Sequence, residues 1–184
     1  MTIKETEFEG LFEIEPEKFT DERGWFFEYF KADRFKKAGL PFEFVQDNQS
    51  FSKKGVLRGL HFQRPPHEQA KLVSVISGRV LDVVVDLRKN SSTFGKSFSY
   101  LLDGERKNML LVPEGFAHGF LALEDTVFFY KCTRLYNRNA EVGIRWDDPT
   151  LNIQWPKGDY IISKKDLVLP MWDELFGNSV ISPL

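Results

Sequence analysis

The sequence has one cysteine, Cys132, and three histidines among its 184 residues. A lone cysteine cannot form an internal disulfide or a thiolate zinc cage, so we expect a reducing compartment. Charges are spread through residues 1–24, which argues against a signal peptide or a membrane span there. The 25 basic and 27 acidic residues leave a net charge of -2, which gives no bulk attraction to nucleic acid or anionic membrane. We therefore expect a cytoplasmic protein with neither nucleic acid nor membrane as a partner.

Aromatic residues are plentiful by contrast, at 15% of the chain, and 18 of them are phenylalanine. Between Gly55 and Tyr136, short β-branched and aromatic runs alternate with turn signals at a regular spacing. This pattern is typical of an all-β sandwich or barrel. We predict one domain over residues 1–184, folded as a jelly-roll β-barrel with short peripheral helices.

Three local signals refine this prediction. The run from Lys31 to Leu40 predicts a helix that ends at Gly39, and residues 164–176 predict a short helix broken by Pro170. The Asp103-Gly104 pair (residues 103–104) predicts a hairpin turn between two strands.

Strand alternation raises a problem in the run GVLRGLHFQ, residues 55–63. Because successive side chains point to opposite faces, Arg58 and His61 cannot both face the interior of a regular strand. Gly59 lies between them, and glycine is a natural position for a β-bulge. We therefore predict a bulge at Gly59 that turns both side chains inward.

Histidine is the first candidate for chemistry, because its ordinary pKa suits a general base at neutral pH. His61 lies in an apolar stretch between Arg58 and Lys71, which favours it over the other two histidines. A metal site of His61, His67 and His118 is an alternative. Its spacing departs from the H-x-H pattern of metal-binding barrels, since Gln63 stands where the second ligand would be.

Other chemistry receives less support. Cys132 falls in a predicted strand among aromatic residues, where a buried thiol is usually inert. Tyr130 and Tyr136 are both possible proton carriers, and the pattern does not choose between them. The acidic pair before Pro149 resembles a turn more than the carboxylates of a glycosidase.

Taken together, a series of motifs resembles the dTDP-4-dehydrorhamnose 3,5-epimerase family over nearly the whole chain, from about Phe8 to about Leu175. The motifs follow the family's order and spacing: GVLRGLHFQ (55–63), KLV (71–73), DVVVDLR (82–88), SSTFG (91–95), PEGFAHGF (113–120), WDDP (146–149) and SKKD (163–166). The resemblance implies a cupin-type jelly roll that is metal-free, needs no cofactor and forms a homodimer. It implies an isomerase that inverts C3 and C5 of a dTDP-4-keto-6-deoxyhexose, on the route to dTDP-L-rhamnose.

The resemblance also implies catalytic roles. His61 matches the family's base, Asp166 the carboxylate that orients it, and Tyr130 the acid. Lys71 matches the lysine near the sugar, where a positive charge stabilises the enolate oxygen at C4. Tyr136 matches a second family tyrosine without the acid's role.

A further set of residues matches family positions that bind the substrate. Those in the N-terminal segment contact the nucleotide, often across the dimer interface, and the set comprises Arg23, Phe26, Glu28, Gln46, Asp47, Asn48, Arg58, His118 and Glu141. Two alternatives stay open: an epimerase that acts on C3 or C5 only, and a barrel that binds a nucleotide sugar without catalysis.

Overall fold

The computed structural model describes residues 1–40 and 42–177, and most of its regular structure is β-strand. The strands are β1 (Thr2–Glu5), β2 (Phe12–Glu15), β3 (Lys18–Asp21), β4 (Gly24–Phe27), β5 (Gln46–Ser52), β6 (Val56–Gln63), β7 (Lys71–Ser77), β8 (Arg79–Asp86), β9 (Ser97–Asp103), β10 (Met109–Val112), β11 (Phe116–Ala122), β12 (Thr126–Cys132), β13 (Glu141–Gly143) and β14 (Ile161–Ile162). The helices are α1 (Ala32–Lys37), a 3-10 helix (Asp166–Val168) and α2 (Trp172–Phe176). No helix among the described residues is long and apolar enough to cross a membrane.

Two sheets face each other as a jelly roll, which confirms the predicted fold class. The first sheet has the order β1-β2-β10-β7-β12-β5, and the second has the order β13-β6-β11-β8-β9, with β14 parallel to β6. Strands β3 and β4 form a separate hairpin. The prediction of a hairpin at residues 103–104 is wrong, because β9 and β10 belong to different sheets. A turn sequence specifies a reversal of the chain, but it does not specify which sheet the next strand joins.

The core between the sheets comes from the inward faces of strands on both sides. Val73 and Phe128 of the first sheet meet Val84 and Phe120 of the second, and the rings of Phe120 and Phe128 stack with centroids 4.3 Å apart. Side chains alternate along β12: Phe128 and Cys132 are buried, whereas the Lys131 side chain reaches exposed Asp47. This hydrophobic packing holds the two walls of the barrel at a fixed separation.

The short helices cover the outer faces of the sheets. Phe35 of α1 packs with Leu72 and Met109 of the first sheet. Trp172 of α2 packs with Leu60 and Val83 of the second sheet. Both predicted helices exist but are shorter than their sequence signals, since α1 ends at Lys37 and a 3-10 turn precedes Pro170.

Candidate active site

A cavity of about 550 Å³ opens between the two sheets. It combines apolar walls with basic and acidic side chains, and its polar lining includes Ser50, Arg58, His61, Lys71, His118, Tyr130, Ser163, Lys165 and Asp166. A second cavity of about 250 Å³ shares His61, Lys71 and Tyr130 with the first. These three residues therefore stand where the two spaces meet.

His61 and Asp166 form a hydrogen-bonded pair at the wall of the cavity. His61 Nε2 lies 2.7 Å from Asp166 Oδ1, and the carboxylate belongs to the 3-10 helix, 105 residues further along the chain. Asp166 is 5% exposed and His61 is 29% exposed, so the carboxylate is buried while the ring reaches the cavity. Burial raises the pKa of Asp166, but its hydrogen bonds with His61 and the Gly59 N–H outweigh this, and its pKa lies below the ordinary value.

The predicted bulge at Gly59 is confirmed, and it positions both Arg58 and His61. In the pairing of β6 with β11, His61 lies opposite His118 and Arg58 lies opposite Phe120, so two residues of β6 face one residue of β11. Gly59 has φ 109°, and a Cβ there would lie 2.6 Å from the Cα of Gly119. Only glycine fits this backbone conformation and this contact.

Tyr130 and Lys71 face His61 from the opposite sheet. Tyr130 lies on β12 and Lys71 begins β7, and these neighbouring strands pair in the first sheet. Burial raises the pKa of Tyr130, so its hydroxyl stays protonated at neutral pH. Burial lowers the pKa of Lys71, and the negative charge of Asp82 is among the effects that oppose this. The site thus offers an imidazole on one wall, with a phenol and an amine on the other.

A second histidine–aspartate pair lies beside the first. His118 Nε2 is 2.8 Å from Asp82 Oδ2, and both side chains are buried. Since His118 is the cross-strand partner of His61, the two imidazoles enter the same cavity from adjacent strands. No role was predicted for Asp82 from the sequence.

Three predicted substrate-binding residues line the second cavity: Gln46, Asn48 and Glu141. Glu141 accepts hydrogen bonds from the Tyr136 hydroxyl at 2.7 Å and from Lys165 Nζ at 2.6 Å. Burial raises the pKa of Glu141, but these two hydrogen bonds outweigh it and the net shift is downward. Lys165 was absent from the sequence prediction, although its place beside Asp166 in the SKKD motif was a usable signal.

Four predicted substrate-binding residues lie outside both cavities. Arg23 and Phe26 line a depression on the β3–β4 hairpin, and Glu28 forms ion pairs with Lys31 and Arg34. The fourth residue, Asp47, points outward and accepts hydrogen bonds from Lys131 Nζ, at 2.7 Å for Oδ1. Within a single chain, these four side chains do not join the His61 site.

The arrangement of the described residues does not favour the metal site or the glycosidase-like carboxylates. His67 lies outside the large cavity and hydrogen-bonds to Asn137, 3.0 Å from its Nε2. Across residues 1–40 and 42–177, no three His, Cys, Asp or Glu side chains cluster as metal ligands. Asp148 accepts hydrogen bonds from the backbone N–H groups of Thr150, Leu151 and Trp172, which makes it a structural residue.

Comparison with known proteins gives a consistent result. The sequence model of the dTDP-4-dehydrorhamnose 3,5-epimerase family matches residues 5–174. A dTDP-4-dehydrorhamnose 3,5-epimerase from Methanothermobacter thermautotrophicus is 53% identical over 165 residues, which cover 88% of this chain and 89% of that protein.

Solved structures agree with the sequence match. A dTDP-4-dehydrorhamnose 3,5-epimerase from Elizabethkingia anophelis superposes with a TM-score of 0.90 at 46% identity, covering 95% of this chain and 98% of that one. A dTDP-6-deoxy-D-glucose-3,5-epimerase from Legionella pneumophila, solved with dTDP-4-keto-L-rhamnose, superposes with a TM-score of 0.88 at 46% identity. That match covers 92% of each chain.

Proposed function

The chain belongs to the dTDP-4-dehydrorhamnose 3,5-epimerase family, and we propose that it inverts C3 and C5 of dTDP-4-dehydro-6-deoxy-D-glucose. The product is dTDP-4-dehydro-L-rhamnose, an intermediate of dTDP-L-rhamnose biosynthesis. One observation carries the proposal: the His61–Asp166 pair and Tyr130 face one cavity from opposite sheets.

The base is His61. Its Nε2 is held by Asp166 at 2.7 Å, which leaves Nδ1 as the nitrogen that takes a proton. The hydrogens at C3 and C5 are acidic because both carbons lie next to the C4 ketone. In the gluco chair these two hydrogens are axial on the same face of the ring. A single imidazole on that face therefore serves both carbons in turn.

The acid is Tyr130, on the opposite wall. After His61 removes a proton, the enolate carbon is planar and can be protonated from either face. Protonation by the Tyr130 hydroxyl delivers hydrogen to the face away from His61, and this inverts the carbon. The raised pKa of Tyr130 keeps the hydroxyl in the form that donates.

The charge that develops on the C4 oxygen is stabilised by Lys71. Lys71 lines both cavities together with His61 and Tyr130. A positive charge placed where negative charge develops lowers the barrier, because it binds the enolate more strongly than the ketone. Arg58 adds a second cation on the same wall as His61.

The test of this function is exchange with solvent deuterium. In D2O, the enzyme should place deuterium at both C3 and C5 of dTDP-4-dehydro-6-deoxy-D-glucose, observed by proton NMR. Deuterium at one carbon only would assign the chain to the single-carbon epimerases. Its absence from both carbons, with binding intact, would leave a barrel that binds a nucleotide sugar.

We also propose a homodimer in which the β3–β4 hairpin reaches the partner's cavity. The hairpin exposes Phe19, Trp25 and Phe26, at 53%, 51% and 64%, an apolar surface that water disfavours. Arg23 lines the same depression as these rings, forms an ion pair with Asp21 of its own hairpin and does not reach the cavity of its own chain. Placed over a second copy, it would supply a cation for the substrate's diphosphate.

Mixed dimers test this assembly. A His61→Ala chain and an Arg23→Ala/Phe26→Ala chain should each have low activity alone. When they are mixed and allowed to exchange, a hybrid dimer contains one intact His61 served by an intact partner hairpin, so activity should return. If the hairpin serves its own chain, every site in the hybrid lacks one component and activity stays low.

We further propose that the chain is located in the cytoplasm. The nucleotide sugar is a cytoplasmic type of metabolite, and we place the chain there because its one cysteine suits a reducing compartment. A single domain over residues 1–184 completes the proposal. A fractionation blot that finds the chain outside the cytoplasm would contradict the location without touching the chemistry.

A further inference from the structure

Residues 133–140 connect β12 to β13 without regular secondary structure, yet they form part of the site. Tyr136 of this segment lines the second cavity together with His61, Lys71 and Tyr130. A loop lacks the hydrogen bonds that fix a helix or a strand, so other groups must satisfy and hold its backbone. The partners of this segment therefore determine the shape of the second cavity.

Gln63 is one of these partners, and both ends of its amide are used. Its Oε1 accepts a hydrogen bond from the Asn137 N–H at 2.6 Å, and its Nε2 donates to the His67 carbonyl at 2.7 Å. Gln63 is 8% exposed and ends β6, two residues beyond His61. Its side chain thus ties residues 133–140 to the strand that carries the base.

Two further glutamines bond to the backbone of the same segment. Gln69, in the loop before β7, donates from Nε2 to the Arg134 carbonyl at 2.6 Å. Gln46 of β5 accepts from the Tyr136 N–H at 2.8 Å. Together with Gln63, they hold the segment from three separate parts of the chain, and all three line the second cavity.

The three glutamines are not equivalent. The Nε2 of Gln46 turns to Asn48, another predicted substrate-binding residue. The side chains of Gln63 and Gln69, by contrast, bond to backbone groups of the loops. A carboxamide carries a donor and an acceptor on one planar group, and in Gln63 these meet a carbonyl and an N–H from two neighbouring loops.

We propose that Gln63 and Gln69 are positioning residues for substrate binding: their amides hold residues 133–140 so that Tyr136 forms the wall of a preformed second cavity. A loop that is ordered before the substrate arrives does not have to be ordered when it binds, and this strengthens binding. The base and the acid lie on strands outside the segment, so the chemical step depends less on these amides. The inference rests on the proposed function for its effect on turnover, whereas the order of the segment is a property of the unliganded protein.

The first test is the steady-state kinetics of Gln63→Met, a change that keeps an unbranched side chain of similar size and removes the amide. Without its two hydrogen bonds, the segment should leave its position part of the time, and KM for the dTDP-4-keto sugar should rise about tenfold. The value of kcat should stay within about threefold of the parent, because the base and the acid are still present. A fall in kcat with KM unchanged would overturn the proposal.

Asn108→Leu is the matched control. Asn108 is fully buried, and its amide makes the same pair of bonds: Oδ1 accepts from the Asp103 N–H at 2.9 Å and Nδ2 donates to the Leu101 carbonyl at 2.8 Å. It lies outside both cavities, so this variant should lower Tm and leave KM in place. If Gln63→Met also lowers Tm without a change in KM, Gln63 is only structural and the proposal is overturned.

Gln69→Met keeps the proposal testable should Gln63→Met fail to fold, because it removes a bond to the same segment and leaves β6 untouched. KM should again rise while kcat is preserved. An unchanged KM in a folded Gln69→Met chain would contradict the proposed positioning.

A second test needs no substrate. Backbone hydrogen exchange followed by NMR should show the Asn137 N–H protected in the parent chain and exchanging about tenfold faster in Gln63→Met. Asn108→Leu should leave the exchange of this amide unchanged. Equal protection in the parent chain and Gln63→Met would overturn the proposal. Because this readout does not require turnover, it separates failure of this inference from failure of the epimerase assignment.

Discussion

The two histidine–aspartate pairs use the same side chains in different settings. His61 is 29% exposed, and its partner Asp166 comes from the 3-10 helix and is also approached by the Gly59 N–H. His118 is 9% exposed, and its partner Asp82 lies on the adjacent strand with one oxygen unpartnered. The ring of the first pair is the more exposed and lines the cavity, which suits proton transfer. The second pair is more deeply buried. Position in the barrel, more than residue type, distinguishes the two pairs.

Replacement of His61 by alanine should give the largest loss. Removing the base should lower kcat by about 10⁴-fold, the upper end of the range for a positioned acid–base group. Steady-state turnover of the dTDP-4-keto sugar measures it. His67→Ala is the matched control, because His67 bonds to Asn137 outside the large cavity. Equal losses in the two variants would remove the distinction on which the assignment of His61 depends.

Asp166→Asn should follow, with a loss of about 10²- to 10³-fold. An amide can donate to Nε2 and so favour the tautomer in which Nδ1 carries the proton and cannot act as a base. The fall should appear in kcat, with substrate affinity preserved. A variant that keeps nearly full kcat would show that Asp166 does not set the tautomer of His61.

Tyr130→Phe should separate the two halves of the reaction. His61 can still remove a proton and return deuterium from D2O to the same face, so exchange into recovered substrate should persist. Net epimerisation should fall about 10²-fold, because the acid on the opposite face is lost. Tyr136→Phe serves as the control, because the hydroxyl of Tyr136 bonds to Glu141. If exchange and epimerisation fall together in Tyr130→Phe, the acid is elsewhere and Tyr136 becomes the candidate.

Lys71→Arg should have the smallest effect, confined to high pH. The charged form of Lys71 is the active one, and burial lowers its pKa, so kcat/KM should begin to fall below the pH at which free lysine titrates, about 10.4. A guanidinium does not titrate in this range, so the alkaline limb should move to higher pH in the variant. Ionisation of Tyr130 would not keep the alkaline limb at its original pH, because burial raises the pKa of Tyr130. If the alkaline limb of the profile does not move, the group that titrates there is not Lys71.

Much of the fold followed from alternation and local chemistry. The strands between Gly55 and Tyr136 were predictable because short β-branched and aromatic runs alternate there with turn signals. The bulge at Gly59 was predictable because two polar side chains needed the same face and glycine stood between them. The arrangement of strands in two sheets was less accessible, since it depends on contacts between distant segments, and the supposed hairpin at residues 103–104 failed for this reason.

The site residues were likewise predictable only in part. His61 was singled out by its polar neighbours, but its pairing with Asp166, 105 residues away, came from the family resemblance alone. Asp82 was missed although a carboxylate inside the apolar run VLDVVVD is unusual, because burial and a free oxygen are visible only in three dimensions. The assignments of Arg23 and Asp47 remain predictions, since their side chains lie outside the cavities of this chain.

The protonation state of His61 is the most direct test of the central claim. Since the chain has only three histidines, 15N-labelled histidine gives a simple spectrum, and His61→Ala assigns the ring. In the neutral form of the ring, we predict that His61 carries its proton on Nε2, toward Asp166, and that Nδ1 is free to accept one. A His61 ring found with the proton on Nδ1 instead could not accept hydrogen from C3 or C5 and would contradict the mechanism.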